Sequence, residues 1–234
     1  MSWEGNVRKV VPYVAGEQPK EQDVIKLNTN ENPYPPAPGV AAAIRGFDCD
    51  VLRRYPDPDV SALVEALAKR HGLDKEQVFA GVGSDDVLAM SFLTFFHSGR
   101  PILFPDITYS FYDVWADLYR IPYEVQPLDD DFGIRKEDYF RENGGIVIAN
   151  PNAPTGVAAD RSVCEEIVRA NPDSVVIIDE AYVDFGGESC VPLIDRYDNL
   201  LVVQTFSKSR SMAGMRIGYA MGSRKLIRYL NDVK

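Results

Sequence analysis

Lys208 stands where the apolar run Val202-Val203-Gln204-Thr205 gives way to Phe206-Ser207, and Arg216 follows eight residues later as a second apolar run opens. A lysine at the mouth of a buried strand, beside hydroxyls and an arginine suited to phosphate, asks for a functional reason, although a solvated lysine after a strand is commonplace. Asp179 closes the run Val175-Val176-Ile177-Ile178. A carboxylate there is poorly solvated and calls for a cationic partner, and Tyr182, three residues on, can place a phenol beside it. A structural salt bridge with a half-buried tyrosine satisfies the same residues.

Gly81-Val82-Gly83-Ser84-Asp85 is an anion-site candidate, because small residues admit a phosphate to the backbone and a following helix offers free N–H groups. Its dinucleotide-binding form fails at the third glycine position, which is Asp86, although Asp106 follows the next strand. A glycine turn before a helix capped by Ser84 or Asp85 is the plain alternative. Taken alone, Arg216 reads as a surface arginine, Tyr109 as a core aromatic, and Asn30-Glu31-Asn32-Pro33 and Tyr55-Pro56-Asp57 as turns.

The elements that must position these groups alternate along the chain. Residues 1–36 are extended and Pro-punctuated, with few core residues, as in a segment that packs on a neighbouring lobe or subunit. Ala41–Arg45 is a weak helix; Asp59 caps an amphipathic one with Leu63, Ala66 and Leu67 on its apolar face, ended by Gly72. Strands are expected at Gln77–Ala80, Pro101–Phe104, Tyr123–Pro127, Ile146–Ala149, Ser174–Ile178, Leu200–Gln204 and Ile217–Met221. Helices fall at Val87–Phe96, Tyr109–Tyr119 and Asp160–Ala170. The runs at 146–149 and 175–178 are apolar on both faces, the mark of central parallel strands. The expectation is an α/β fold, three-layer α/β/α, with a mostly parallel seven-stranded sheet carrying one antiparallel strand. Ligands bind at the carboxyl ends of such strands, and the polar groups above converge on that rim.

At 234 residues the chain can bury one substantial core. A net charge of -10 argues against nucleic acid or an anionic membrane as partner, and no apolar stretch approaches a membrane span. Met1-Ser2-Trp3-Glu4 is no signal peptide. Cys49, Cys164 and Cys190 lack metal-ligand spacing and read as reduced cytosolic thiols, giving a cytoplasmic expectation and no metal. With only His71 and His97, histidine-based triads are unfavoured.

Jointly, Ser207-Lys208 with Ala213-Gly214-Met215-Arg216-Ile217-Gly218-Tyr219, Asp179-Glu180-Ala181-Tyr182, Pro154-Thr155-Gly156 and Gly83-Ser84-Asp85 resemble the fold-type I aminotransferases dependent on pyridoxal 5'-phosphate (PLP). Pro12-Tyr13, Leu27–Pro33, Arg54-Tyr55-Pro56-Asp57 and Asp179–Phe185 narrow the resemblance to histidinol-phosphate aminotransferases. Related aromatic aminotransferases and threonine-phosphate decarboxylases share parts of this pattern. The resemblance implies that residues 37–234 form the PLP-binding large domain, with 1–36 as an arm. It implies exchange of an amino group between L-histidinol phosphate and 2-oxoglutarate in a homodimer.

By the same resemblance, Lys208 would hold PLP covalently and then carry a proton to and from the substrate. Asp179 would keep the pyridine nitrogen protonated, Tyr182 would bond the ring hydroxyl oxygen, and Tyr109 would stack on the ring. Ser84, Asp85, Ser207 and Arg216 would hold the phosphate, with Tyr55 reaching the phosphate of the partner subunit. Tyr13 and Asn32 would touch substrate. Two departures stand out. The family's asparagine before Pro-Thr-Gly is here Ala153, leaving Asn152 as a candidate substitute, and the chain ends at Lys234, before the small C-terminal lobe the resemblance implies. A chain lacking that lobe is expected to bind PLP weakly and to turn over slowly or not at all. Two other readings remain: a nucleotide-binding domain resting on Gly81-Val82-Gly83, and a non-catalytic remnant.

Overall fold

A computed structural model describes residues 3–11, 16–17, 20 and 23–234, so Tyr13 lies outside the described residues. The chain runs α1 (Pro38–Arg45), α2 (Ser61–His71), β1 (Val78–Gly81), α3 (Ser84–Phe95), β2 (Ile102–Pro105), α4 (Tyr112–Tyr119) and β3 (Tyr123–Gln126). It continues through β4 (Gly145–Ala149), α5 (Arg161–Ala170), β5 (Val176–Asp179), β6 (Leu200–Thr205), β7 (Gly218–Gly222) and α6 (Arg224–Val233). The sheet has seven strands in the order β1-β7-β6-β5-β4-β2-β3. β7 runs antiparallel to both neighbours, β1 and β6, and the remaining pairs are parallel.

Period-two alternation along the central strands divides the core. Ile146, Ile148, Val176, Ile178, Leu200 and Val202 face α2 and α5, packing with Leu67, Ala68, Ile167 and Val168. Val147, Ala149, Ile177, Leu201 and Val203 face the other way, onto Val87, Leu88 and Phe92 of α3, Tyr112 and Trp115 of α4, and Leu226, Ile227 and Leu230 of α6. Both sheet faces are covered, which is why these strands are apolar throughout. The result is the expected three-layer α/β/α architecture.

Local details differ from expectation. On α2, Ala66 is exposed and Ala68 buried, because Ala68 shares the inward stripe with Leu67 and Val64. The carboxylate that opens this helix belongs to Asp57, not Asp59: it accepts from the Ser61 N–H at 2.8 Å and the Asp59 N–H at 3.0 Å. Gly72 ends the helix as expected, in the left-handed region (φ 71). α3 begins at Ser84, three residues earlier than the apolar pattern implied, with Gly83 before it and no side-chain cap from Ser84 or Asp85.

Residues 23–36 run over the carboxyl-end rim of the sheet. Asn32 donates to the backbone oxygens of Lys208 and Ser209, each at 3.3 Å, and Asn30 donates to the Tyr182 hydroxyl at 2.9 Å. Beyond these contacts the segment exposes Ile25, Leu27 and Tyr34; α1 buries no residue, and Tyr55 is fully exposed.

Candidate active site

A cavity of about 240 Å³ opens at the carboxyl ends of β1, β4, β5 and β6. Ser84, Asp85, Tyr109, Asp179, Tyr182, Ser207, Lys208 and Arg216 all line it. Eight of the expected cofactor residues, scattered over more than half of the sequence, are thereby gathered round one space.

Asp179 is the last residue of β5 and is 5% exposed. Burial pushes its carboxyl up to about 6, despite hydrogen bonds from the Tyr112 hydroxyl at 2.9 Å and the Ala181 N–H at 3.1 Å that act in the opposite direction. The cationic partner expected from the sequence is replaced by these two neutral donors. A buried carboxyl with a raised pKa on a cavity wall favours a protonated, cationic group in that cavity. Tyr112, which the sequence placed only within a helix, is the functional neighbour that pattern reading missed. Its side chain is fully buried, and burial together with Asp179 raises its own pKa, so it remains a donor.

Lys208 lies three residues beyond the end of β6, its Nζ donating to the Thr29 carbonyl at 2.9 Å and lying 5.4 Å from the centre of the Tyr182 ring. Among the described residues lining the cavity it supplies the one amine. Tyr109 donates from its hydroxyl to Asp85 at 2.9 Å. Ser207 is oriented by Thr205, whose Oγ1 donates to the Ser207 hydroxyl at 3.0 Å and accepts the Ser207 N–H at 3.1 Å.

The opposite end of the cavity is a cradle for an anion. Arg216 adopts a left-handed backbone (φ 53), donates to the Ala213 carbonyl at 3.1 Å and rests over Gly83, where an added Cβ would come within 2.6 Å of its Nη2. Its nearest acidic neighbour is Asp85, at 3.5 Å. Gly218, at the start of β7, abuts the start of α3 so closely that a Cβ would fall 2.2 Å from the Gly83 carbonyl carbon and the Ser84 nitrogen. Backbone donors at the opening of α3 and a guanidinium thus meet at one spot, an arrangement that suits phosphate. Asp86, which broke the dinucleotide pattern, turns its carboxylate back onto the Val82 N–H at 2.9 Å.

Two expected residues are used elsewhere. Asn152 does not line the cavity; its buried amide accepts from Thr108 at 2.9 Å and donates to the Ile107 carbonyl at 2.8 Å and Thr155 at 3.0 Å. Every polar atom of that side chain is therefore engaged in bracing loops, and Ala153 faces the cavity in its place. Asn32 ties the N-terminal segment to the backbone of Lys208 and is not among the cavity-lining residues. Tyr55 stands clear of the cavity in full solvent. Thr29 and Glu31 do line it, a contribution from the N-terminal segment that the turn-like Asn30-Glu31-Asn32-Pro33 stretch concealed.

A parallel-centred three-layer fold with a lysine, a buried aspartate and an arginine–helix anion cradle on one rim defines a cofactor-anchoring α/β domain. The chain belongs to the aminotransferase class I and II family, which matches residues 22–234. It is 59% identical over 234 residues to the histidinol-phosphate aminotransferase of Lactococcus lactis subsp. cremoris (strain SK11), covering 100% of this chain and 66% of that protein. Among solved structures it resembles the aspartate aminotransferase of Thermotoga maritima (26% identity, TM-score 0.79, covering 90% of this chain and 61% of that one). The fold is also shared with the histidinol-phosphate aminotransferase of Sinorhizobium meliloti, solved with pyridoxal-5'-phosphate (24% identity, TM-score 0.79, covering 88% and 58%). The chain thus spans about two thirds of the length of its curated relatives, at 66% of the Lactococcus protein. No helix among the described residues is long and apolar enough to cross a membrane.

Proposed function

We propose that this chain is the PLP-binding part of a histidinol-phosphate aminotransferase, exchanging an amino group between L-histidinol phosphate and 2-oxoglutarate. The observation that carries the reading is the meeting of Lys208, Asp179 and Arg216 around one cavity, in a chain 59% identical to a protein of that activity. The residues fit the cofactor chemically: a primary amine for its aldehyde, a buried carboxyl for its ring nitrogen, and a cationic cradle for its phosphate. PLP, when bound, supplies the electron sink that labilises bonds at the substrate α-carbon.

The protein's own groups do the rest. Lys208 would hold the cofactor through Nζ and, once free of it, would take up and return a proton at that atom. Asp179 holds a proton on the ring nitrogen by charge, and its burial strengthens that attraction. Tyr182 presents its hydroxyl to the ring oxygen, with Asn30 orienting the phenol from outside. Tyr109, on the cavity wall, would pack against the ring. Arg216, Ser207 and the N–H groups of Ser84 and Asp85 grip the phosphate, each charge-assisted bond contributing about 1.5–3 kcal/mol. The proposal includes division of the chain into an arm (1–36) and a large domain (37–234), a cytoplasmic location in keeping with three free cysteines, and a homodimer. Full exposure of Tyr55 supports the last point, since its ring is free to enter a site in the partner subunit.

The test is to load the purified chain with PLP, record its visible absorbance and treat it with borohydride. A band that borohydride traps on Lys208 and that Lys208→Ala abolishes supports the cofactor reading; no Lys208-dependent band refutes it. Amino transfer from L-histidinol phosphate, in preference to aromatic amino acids, would carry the substrate assignment. Release of carbon dioxide without need for a 2-oxo acid would overturn it in favour of a decarboxylase.

A further inference from the structure

Beneath the cavity, a chain of polar contacts joins the backbone carrying Asp179 to the backbone carrying Lys208. Glu180, next to Asp179 and 2% exposed, accepts from the Cys190 N–H at 2.5 Å, the Ser189 hydroxyl at 2.7 Å and the Gln204 amide at 2.8 Å. Gln204 in turn accepts from the buried Tyr219 hydroxyl at 2.6 Å. That hydroxyl accepts from Arg210 at 3.4 Å and lies 3.2 Å from His71 Nε2. Burial pushes the Tyr219 phenol up to about 12, so it stays a donor to Gln204.

Arg210 is the hub on the lysine side. Besides Tyr219 it reaches Asp184 at 3.0 Å and the Thr205 carbonyl at 3.2 Å, and its guanidinium lies 5.2 Å from the centre of the Phe206 ring. Ser209 donates to the same Asp184 oxygen. Asp184 lies two residues beyond Tyr182, and Lys208 lies two residues before Arg210, so the clamp bridges the two loops whose side chains face each other across the cavity.

We propose that Arg210 is a positioning residue for Lys208: through Asp184 and Tyr219 it fixes the lysine loop against the Asp179–Tyr182 segment. The proposal rests on the PLP reading of the same site for its consequence, though not for its geometry. The Arg210 and Asp184 side chains are 28% and 41% exposed, so their pairing adds little to global stability. Its effect is local, holding two loops in register. Lysine at this position lacks the planar fork needed to reach three acceptors at once.

The experiment compares Arg210→Met, Arg210→Lys and the surface control Arg196→Met, whose guanidinium pairs with Glu165 away from the cavity. Hydrogen exchange on the cofactor-free chain should quicken about tenfold in Arg210→Met within 206–216 and 180–186, and stay unchanged elsewhere. The melting temperature should drop by no more than about 4 °C. Arg210→Lys should fall between wild type and Arg210→Met, and Arg196→Met should match wild type. With PLP added, borohydride-trapped attachment at Lys208 should slow about tenfold in Arg210→Met. Exchange that rises uniformly, rises in only one loop or does not rise overturns the clamp, as does attachment at the wild-type rate. A wild-type chain that never attaches PLP would defeat the proposed function, and the exchange result alone would then decide the clamp.

Discussion

The Tyr112 hydroxyl donates to Oδ2 of Asp179 at 2.9 Å, joining a fully buried residue at the start of α4 to the last residue of β5. The Ala181 N–H holds the other carboxylate oxygen at 3.1 Å. The carboxylate is therefore oriented before any ligand arrives, which is the preorganisation a cofactor anchor requires.

Tyr112→Phe removes that donor without changing the ring. The protein should lose about 1–3 kcal/mol of stability, because a buried acceptor is left without its partner. The Asp179 carboxyl, already raised, should move higher, because the Tyr112 bond is the largest of the contacts lowering it. Urea denaturation at pH 7 checks the first outcome, and PLP retention measured against pH checks the second.

Glu180 gives a pH signature. Its carboxyl has an ordinary value of 4.5 and is pushed up to about 7 in the folded chain, because burial outweighs its three hydrogen-bond donors. Between those values the folded state keeps a proton that the unfolded state has released. The stabilisation from this group is complete below about 4.5 and is lost as pH rises through about 7. Glu180→Gln should flatten the fall in stability across that window, by at most about 3 kcal/mol. Thermal or urea midpoints of the cofactor-free chain from pH 5 to 8 read this directly; parallel curves for both proteins would contradict it.

Gly218→Ala tests the contact between β7 and α3. The new methyl would meet backbone atoms of Gly83 and Ser84 at 2.2 Å, and backbone cannot swing aside as a flexible side chain can. Overpacking of this kind costs about 1–3 kcal/mol, so the urea midpoint should fall while the m-value holds. PLP affinity should fall with it, because the start of α3 is displaced.

Arg216→Met separates phosphate binding from ring binding. PLP affinity should drop about 10- to 100-fold, whereas affinity for pyridoxal, which lacks the phosphate, should barely change. Equal losses for both ligands would show that Arg216 does not hold the phosphate.

Much of this architecture is visible in the residues themselves. The doubly apolar runs at 146–149 and 175–178 announce central strands, and gathering the residues just beyond each strand brings Lys208, Asp179, Tyr182 and Ser84 to one rim from the sequence alone. The hidden part has two physical causes. Tyr112, Gln204 and Tyr219 lie inside regular elements, where a tyrosine or glutamine has the same spacing whether its polar end is idle or bonded to a residue in another strand. Asn152 shows the reverse: its place beside Pro-Thr-Gly invited a role in the site, yet two bonds to the Ile107-Thr108 loop and one to Thr155 engage its whole amide. Local sequence records which side a residue faces; it does not record which partner waits there.

The reversal of β7 has a consequence for how the site withstands deformation. In the parallel strands, a residue reaches the rim by ending its strand, as Asp179 does, or by following the last residue, as Lys208 does. Arg216 reaches it by preceding the first residue of β7, so Lys208 and Arg216 belong to one excursion of chain. Its two feet are stapled by the Thr205–Gly218 pair and by the Phe206 N–H bond to the Ile217 carbonyl at 3.0 Å. Bending or twisting of the sheet carries both cations as one body. The backbone positions from which the amine and the guanidinium extend are thus tied to one another at the base of this stapled loop.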